Sequence, residues 1–385
     1  MKYIPYGKQY IEEDDIKQVV KVLRSDWITQ GKMVGDFEKA IARYCGSKYA
    51  VVVSSGTAAL HIACLAGGLA QGDEAITTPI TFLATPNAVL YTGARPVFAD
   101  VDPVFSNIDP AGIEKKITSR TKAVLPVHFA GMPCDMPRIS SIAKKNSLLI
   151  IEDACHALGA EYFWRGKKIM VGSCEHSDMT VFSFHPVKHI TTGEGGAITT
   201  NNRKIYEKLK ALRSHGTYKT EGMTKKKGPW YYEMRDLGFN YRITDFQCAL
   251  GLSQIKKLKG FLKKRRDIAK VYDRSFGTYE GISIPGKSGD RSGAYHLYIL
   301  KIDFDSFNLD RKTFFKRMKD LGVACQVHYI PVYLQPYYRE LGYSKGLCPN
   351  AEKVYKEEVS IPLFPAMKDD EVLRVVESVQ KTLNI

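Results

Sequence analysis

The stretch FSFHPVKHITTGEGGAITTNN (residues 182–202) places a single lysine, Lys188, between strand-like residues and a glycine-rich turn. Lysines usually lie on solvated surfaces, so a surface lysine before a turn is the ordinary interpretation. The alternative is a buried amine whose pKa is lowered by burial, so that it can attack a carbonyl and form a Schiff base. The rest of the sequence decides between these two hypotheses.

Strand-like and helical patterns alternate along the chain from residue 49 onward. The β-branched, strand-like runs cover residues 49–55, 74–79, 95–101, 122–129, 147–153, 180–185 and 195–201. This alternation predicts an α/β fold with a mostly parallel sheet covered by helices on both faces. A long amphipathic helix is predicted over 245–276, followed by a half-exposed strand at 294–304 and a helix at 309–322. We therefore predict a large domain over residues 1–250 and a smaller α+β domain over 251–385.

Composition narrows the class of protein. Eight scattered cysteines without a CxxC pair indicate neither a zinc cluster nor a disulfide framework, so we expect no metal site and a cytoplasmic location. No apolar run reaches the roughly 18 residues of a membrane span, and the first 15 residues lack the apolar core of a signal peptide. Lysine plus arginine outnumber aspartate plus glutamate 56 to 41, giving a net charge of +15. The densest basic run, 256–266, has apolar residues at helical spacing, which favours a solvated helix face over a nucleic-acid site.

Residues whose side chains can bind a ligand or react with it follow several of the predicted strands, at the edge where ligands bind in an open α/β sheet. The turn SSGTAA (54–59) opens a helix whose free N–H groups suit a phosphate, although Ser and Thr are also ordinary helix caps. Phe82 follows the next strand, where it either covers a planar ligand or packs in the core. Asp153 ends a buried strand and needs a partner such as a protonated heterocyclic nitrogen, unless it caps the next helix. His156 lies three residues further on, within reach of the same ligand.

These elements together match the requirements of pyridoxal 5'-phosphate (PLP). Its phosphate needs a helix N-terminus, its pyridine nitrogen needs a carboxylate, and its aldehyde needs an amine. The glycines that follow Lys188 let the backbone turn tightly just past the amine. The sequence therefore favours Lys188 as a Schiff-base lysine.

Seven motifs follow one another along nearly the whole chain: SSGTAAL, TTPITFLAT, PVHFAG, IEDACHALG, FSFHPVKHITTGEGGAI, RSHG and GFNYRITDFQCALGLSQ. Together they resemble the DegT/DnrJ/EryC1/StrS family of sugar aminotransferases, which are PLP enzymes of fold type I. The resemblance implies that Lys188 bonds the cofactor and that Asp153 contacts its pyridine nitrogen. It also implies that His156 lies near the cofactor ring and that Phe82 stacks on it. Some members of this family carry histidine in place of the lysine and dehydrate sugars, so Lys188 indicates a transaminase.

The same resemblance implies how the phosphate is held. Gly56, Thr57 and the Ser183 hydroxyl would contact it from one subunit, and Asn240, in GFNYR, would reach it from a second subunit. The site would then require a homodimer.

The sugar substrate is implied by shorter motifs. SDWITQGK (25–32) and CQVHYIPVY (325–333), with RSHG, are similar to the branch of the family that serves pseudaminic acid biosynthesis. That branch aminates C4 of a UDP-linked 4-keto-6-deoxy-N-acetylhexosamine with L-glutamate as donor. Contacts to the sugar nucleotide are then implied for eight residues: Tyr6, Asp26, Trp27, Ile28, Thr29, Gln326, His328 and Tyr329.

Three alternatives stay open at the level of the sequence. The first is an aminotransferase of the same family for a dTDP- or GDP-linked keto sugar, acting at C3 or C4. The second is a PLP lyase or desulfurase of the same fold. The third is a PLP-binding regulator without enzyme activity, which would normally need a DNA-binding segment that the pattern does not show.

Overall fold

The computed structural model describes residues 3–385, which form fifteen strands and thirteen α-helices. The strands are β1 (Tyr49–Val53), β2 (Glu74–Thr77), β3 (Arg95–Phe98), β4 (Thr121–Leu125), β5 (Leu149–Asp153), β6 (Glu161–Trp164), β7 (Lys167–Met170), β8 (Met179–Ser183), β9 (Gly196–Thr200), β10 (Thr217–Tyr218), β11 (Glu233–Met234), β12 (Ile282–Ser283), β13 (Arg291–Ser292), β14 (Tyr298–Ile302) and β15 (Glu358–Ile361). The helices are α1 (Glu13–Leu23), α2 (Lys32–Cys45), α3 (Gly56–Ala66), α4 (Ala84–Leu90), α5 (Pro110–Glu114), α6 (Met136–Lys145), α7 (Arg203–Arg213), α8 (Glu221–Lys227), α9 (Asp245–Phe276), α10 (Arg311–Asp320), α11 (Pro336–Glu340), α12 (Pro349–Glu357) and α13 (Asp369–Leu383).

Seven strands form the central sheet in the order β1-β9-β8-β5-β4-β2-β3. All of its neighbouring pairs are parallel except those of β9, which runs antiparallel to both β1 and β8. The predicted mostly parallel sheet is therefore confirmed. The exception has a simple cause: β8 and β9 are joined by a loop without a helix, and only an antiparallel neighbour can be reached without a crossover. That loop carries Lys188.

Helices cover both faces of the sheet, as the alternating pattern predicts. On one face, the small and apolar residues of α3 pack against Val51, Val181 and Ile198. On the other, α2 and α6 pack against Val52 and Phe182. Successive residues of a strand point to opposite faces, so strands buried on both sides contain continuous apolar runs.

The long helix α9 begins and ends at the predicted residues. Thr244 caps it, accepting a bond from the Gln247 backbone N–H, while the Gln247 side chain reaches back to the Thr244 N–H. Its first half packs on α1 and α2, where Gly251 lies against Phe37. Its last turns join a second core with Tyr298 of β14. The predicted boundary between residues 250 and 251 thus falls inside one uninterrupted helix, and the division into two domains stays a prediction.

The expectation of a half-exposed strand at 294–304 is wrong. Four of the five residues of β14 are buried. Tyr298 and Leu300 point into the second core, whereas Ile299 joins Phe98 and Val332 in a cluster on the other side. The strand is covered on both faces, so its alternation does not mark a solvated side. Among residues 3–385, no helix has the length and apolar character needed to cross a membrane.

Candidate active site

A cavity of about 610 Å³ lies at the carboxyl ends of the parallel strands. Its floor comes from residues that follow β1, β2, β5 and β8, and its opposite wall comes from the segment 326–329 and Tyr6. Most of the predicted site residues line it: Tyr6, Gly56, Thr57, Phe82, Asp153, His156, Ser183, Lys188, Gln326, His328 and Tyr329. The structure therefore brings the predicted cofactor residues of one chain together.

Asp153 is the last residue of β5 and is only 5% exposed. Its Oδ2 accepts a 2.6 Å bond from the Thr85 hydroxyl, and its Oδ1 accepts a 3.1 Å bond from the Cys155 N–H. Thr85 in turn bonds Thr81 at 2.8 Å. These donors are neutral, and within residues 3–385 the carboxylate forms no ion pair. A buried carboxylate without a cationic partner at the edge of a cavity fits the protonated nitrogen of a heterocycle.

The Lys188 amine lies 3.4 Å from Nε2 of His296. Burial lowers the pKa of the lysine, while the nearby Cys155 and Asp153 act in the opposite direction. The loop that holds it closes through bonds from the Thr192 N–H and the Thr191 hydroxyl to the Phe184 carbonyl. An amine that is easily deprotonated and faces a cavity suits nucleophilic attack on a carbonyl.

The first turn of α3 forms the end of the cavity where a phosphate fits. Ser55 caps this eleven-residue helix by accepting a bond from the Ala58 N–H at 3.1 Å. A Cβ at Gly56 would approach the Ser183 Cβ to 2.9 Å, so a glycine is required for the helix start to lie against Ser183. Free N–H groups at a helix start, together with the Thr57 and Ser183 hydroxyls, make a suitable phosphate site.

His156 lies beside this arrangement with one unpartnered ring nitrogen. Burial, followed by the charge of Lys188, lowers its pKa well below the usual range, so the ring is neutral. Burial also raises the pKa of Tyr329 well above its usual value, so the phenol keeps its proton, and its oxygen lies in hydrogen-bond contact with His156 Nε2 at 3.2 Å. Nδ1 of His156 is buried and has no partner in the described part of the chain. An unsatisfied ring nitrogen beside the cavity fits a polar atom of a bound cofactor.

Phe82 and the residues of the opposite wall lie nearer the mouth of the cavity. Phe82 is 58% exposed, with its ring centre 6.1 Å from that of Tyr329. His328 is buried, contacts the Tyr6 ring at 5.6 Å and bonds the Ser360 hydroxyl through Nδ1 at 2.7 Å. Burial and the charge of Lys188 lower the pKa of His328 to about 3. The ring is therefore an uncharged polar group at neutral pH.

Five predicted residues do not line the cavity of their own chain. The segment 26–29 is exposed, and it is fastened to the start of α9 by a bond from the Asp245 N–H to the Ile28 carbonyl. The Asp245 carboxylate also accepts bonds from the Gly31 and Met33 N–H groups, at 2.7 and 2.9 Å. Asn240 is likewise exposed and pairs with the backbone of Ser214. Asp26, Trp27, Ile28 and Thr29 do not line the cavity of their own chain, because Asp245 fixes their segment at the surface, and their contacts to a sugar nucleotide stay a prediction.

The sequence interpretation missed several residues of the cavity. They are Thr81, Cys155, His185, Glu194 and His296, to which Thr85 is added by its bond to Asp153. His296 lies in a run with strand-like alternation, and a lone histidine there gives no signal of its own. Thr81 and Thr85 are spaced four apart around a predicted helix start, and this spacing could have indicated a pair that reaches the Asp153 carboxylate.

Comparison with known proteins places this site in a family. Residues 9–380 match the sequence profile of the DegT/DnrJ/EryC1/StrS aminotransferase family. A UDP-4-amino-4,6-dideoxy-N-acetyl-beta-L-altrosamine transaminase of Campylobacter jejuni is 39% identical over 392 residues, covering 98% of this chain and 99% of its own. The solved PseC aminotransferase of Helicobacter pylori, involved in pseudoaminic acid biosynthesis, superposes with a TM-score of 0.91 at 34% identity, over 100% of both chains.

A putative sugar aminotransferase of Streptococcus pneumoniae, solved in its PLP form, superposes with a TM-score of 0.90 at 28% identity, over 99% of both chains. The predictions of a fold type I transaminase and of PLP as its cofactor are thereby confirmed, and the hypotheses of a lyase and of a regulator without enzyme activity are not retained. The chain belongs to the DegT/DnrJ/EryC1/StrS aminotransferase family.

Proposed function

We propose that this aminotransferase moves an amino group from L-glutamate to C4 of a UDP-linked 4-keto-6-deoxy-N-acetylhexosamine, a step of pseudaminic acid biosynthesis. One observation carries the proposal: the Lys188 amine faces a cavity of about 610 Å³ that also contains Asp153 and the start of α3. The substrate is supported by similarity to the Campylobacter jejuni transaminase and to PseC.

The proposed roles of the cofactor residues follow from their contacts. Bound in this cavity, PLP supplies an electron sink that lets an amino group leave one substrate and join another. Asp153 accepts a hydrogen bond from the ring nitrogen and keeps the proton there, while Thr85 fixes the carboxylate. The Lys188 amine, which burial favours in its neutral form, takes the proton from the donor carbon and returns one at C4 of the sugar.

The proposed sugar-binding wall is polar and uncharged. Gln326, His328 and Tyr329 present an amide, a neutral imidazole and a protonated phenol to the cavity. Such groups orient hydroxyl, carbonyl and acetamido substituents of a sugar by hydrogen bonds without attracting the carboxylate of the amino donor. The excess of positive charge over the whole chain suits a diphosphate substrate.

We also propose that the enzyme works as a homodimer. Asn240 and the segment 26–29 are exposed and lie away from the cavity of their own chain. Trp27 is 66% and Ile28 49% exposed, and large apolar side chains of this kind often mark a surface that another chain covers. In the dimer, these residues would complete the cavity of the partner subunit.

The substrate is tested by incubating the enzyme with L-glutamate and a panel of nucleotide-linked keto sugars, with the products identified by mass spectrometry and NMR. The expected result is a 4-amino product from the UDP-linked 4-keto-6-deoxy-N-acetylhexosamine and ping-pong kinetics, because both substrates use one site. An ordinary glutamate half-reaction combined with turnover of only a dTDP- or GDP-linked sugar, or with amination at C3, would contradict the proposed substrate and leave the aminotransferase assignment intact.

A further inference from the structure

Arg265 is a fully buried arginine without an acidic partner. It lies in the second half of α9 with 1% of its surface exposed. Within residues 3–385, its guanidinium is in no ion pair, and its polar contacts are backbone carbonyls. Burial lowers its pKa to about 9, which still leaves the group charged at neutral pH. A buried cation without a counter-ion is costly, and an apolar side chain of similar volume is often the more stable choice.

The carbonyls that Arg265 binds belong to three separate segments around the catalytic lysine. Nη1 donates to the carbonyls of His296 at 3.1 Å, Tyr295 at 3.2 Å and Leu363 at 2.9 Å. Nη2 lies 3.5 Å from the carbonyl of Val187, the residue before Lys188. The guanidinium thus joins the segment that carries Lys188 to the segment that carries His296, whose ring contacts the lysine amine.

The groups around the lysine amine act on its pKa in opposite directions. Asp153 and the thiol of Cys155 favour a protonated amine, whereas burial and Arg265 oppose it. The other titratable groups that line the cavity or contact its histidines are His156, His189, His296, His328, Tyr329, Tyr6, His185 and Glu194. Burial lowers the pKa of His156, His189, His296 and His328 and raises that of Tyr329, so these five are neutral at pH 7. Arg265 is therefore a fixed positive charge that opposes the effect of the Asp153 carboxylate on the amine.

We propose that Arg265 is a positioning residue for Lys188: its guanidinium fixes the segments that carry Lys188 and His296, and it places an uncompensated positive charge near the lysine amine. The positive charge of Arg265 disfavours the protonated form of the lysine amine and thereby favours its neutral, nucleophilic form. This inference rests on the proposed role of Lys188 as the amine that bonds the cofactor.

The test measures the pKa of Lys188 in the full-length protein freed of cofactor, so it depends on neither turnover nor the identity of the sugar. Each protein is acetylated with a trace of acetic anhydride across a pH series, and modification of the Lys188 peptide is followed by mass spectrometry. Arg265→Gln removes the charge but keeps an amide donor. It is expected to raise the pKa of Lys188 by about one pH unit, the size expected for loss of a nearby unit charge inside a protein.

Arg266→Gln is the matched control. Arg266 is the next residue of α9 and also donates to backbone carbonyls, those of Gly293 and Gly159, at 3.3 and 3.4 Å. Its loss should leave the pKa of Lys188 unchanged. An unchanged Lys188 pKa in Arg265→Gln, or an equal shift in Arg266→Gln, would overturn the proposal.

Arg265→Lys provides a second variant in case the glutamine variant does not fold. A buried ammonium with only carbonyl partners loses its proton readily, whereas a guanidinium does not. Arg265→Lys should therefore also raise the pKa of Lys188, with donors and much of the volume retained. If neither variant folds, Arg265 has a purely structural role and the proposal is wrong. A Lys188→Ala enzyme that still formed a covalent adduct with PLP would instead contradict the role of Lys188, whatever the result for Arg265.

Discussion

The two ends of the predicted site differ in how completely one chain builds them. At the cofactor end, Asp153, Lys188 and His156 are fixed by contacts within their own chain; Asp153 and His156 are buried at the edge of the sheet, and Lys188 is half-buried there. At the other end, Asn240 and the segment 26–29 lie exposed, with their backbones fastened to α9 and to the end of α7 and their side chains free of the cavity.

The cofactor end depends on the fold of one chain, whereas the other end, in the proposed dimer, depends on the assembly of two chains. The carboxylate, the amine and the helix start meet because parallel strands bring their carboxyl ends to one edge, which follows from the fold of one chain. The exposed residues act, if the proposed dimer is correct, only when a second chain is present. Mutations at the two ends should therefore have different effects, and the largest effects belong to the cofactor end.

Lys188→Ala should abolish both the reaction and the bond to the cofactor. The amine serves as nucleophile and as the group that moves the proton, so a loss of about 10³-fold or more in turnover is expected. The wild-type protein should be yellow with PLP and should keep a covalent adduct after borohydride reduction, whereas the variant should not.

Lys301→Ala is the matched control for this experiment. Burial also lowers the pKa of Lys301, but this lysine lies outside the cavity. The Lys301→Ala variant should retain both the covalent adduct and the transaminase activity. Undiminished turnover in Lys188→Ala would show that the proposed cofactor end is misassigned.

Asp153→Asn should fold and bind PLP but react slowly. The change keeps the shape of the side chain and removes the anion that holds a proton on the ring nitrogen. Loss of a charged hydrogen bond at a buried site is worth about 3 kcal/mol, which corresponds to a loss of about a hundredfold in turnover. Single-turnover rates with glutamate measure the effect directly.

Thr85→Val sharpens the interpretation of Asp153. It removes the 2.6 Å bond to the carboxylate but keeps the charge, so a loss of only about tenfold is expected, within the range for one hydrogen bond to a charged group. Near-normal rates in Asp153→Asn would mean that Asp153 has only a structural role, as the acceptor for the Thr85 hydroxyl and the Cys155 N–H.

Acid should weaken the fold through His328. Its pKa is about 3 in the folded chain and about 6.5 when unfolded, so the unfolded state binds the proton first as the pH falls. The neutral ring contributes its full stability above pH ~6.5, and that contribution is lost progressively as the pH falls toward ~3. At pH ~5 this loss amounts to about 2 kcal/mol of unfolding free energy.

His328→Asn tests this assignment by urea unfolding at pH 7 and pH 5, at one protein concentration. The variant should lose about 2 kcal/mol less than the wild type between the two pH values. Ser360→Ala, which removes only the hydroxyl partner of the ring, should keep the pH dependence of the wild type. Equal pH dependence in His328→Asn and wild type would show that His328 does not titrate as described.

The same contrast explains what could be predicted from the sequence. The strands, α9 and the cofactor residues carry local signals, because apolar runs, small-residue turns and a lone lysine each reflect one position in the fold. His296 could not be found in this way. It reaches Lys188 only because the segment before β14 packs against α9 through Arg265, a contact between residues far apart in sequence.

The exposure of β14 was misjudged for a related reason. Alternation normally indicates one solvated face, but the face of β14 that carries Ile299 is covered by a cluster that includes Phe98 of β3 and Val332. The position of the segment 26–29 also could not be predicted from local sequence, since it depends on the Asp245 carboxylate more than 200 residues away. Long-range packing and assembly, rather than local pattern, decide these features.

The last prediction tests whether the exposed end belongs to the partner subunit. Asn240→Ala should fold normally and retain PLP about tenfold less tightly, since one hydrogen bond to a charged group is worth roughly 1.5 kcal/mol.

Two further variants should each be inactive alone. Lys188→Ala lacks the amine, and the carboxylate introduced by Asn240→Asp repels the cofactor phosphate. If each cavity combines Lys188 of one chain with Asn240 of the other, a hybrid dimer contains one intact site. Random pairing in an equal mixture, refolded together, then restores about a quarter of the wild-type sites. Differently tagged chains show by tandem purification that hybrids have formed. Hybrids that form without any gain in activity would place both residues in the same subunit's site, and the comparison between a self-contained and a shared end would not hold.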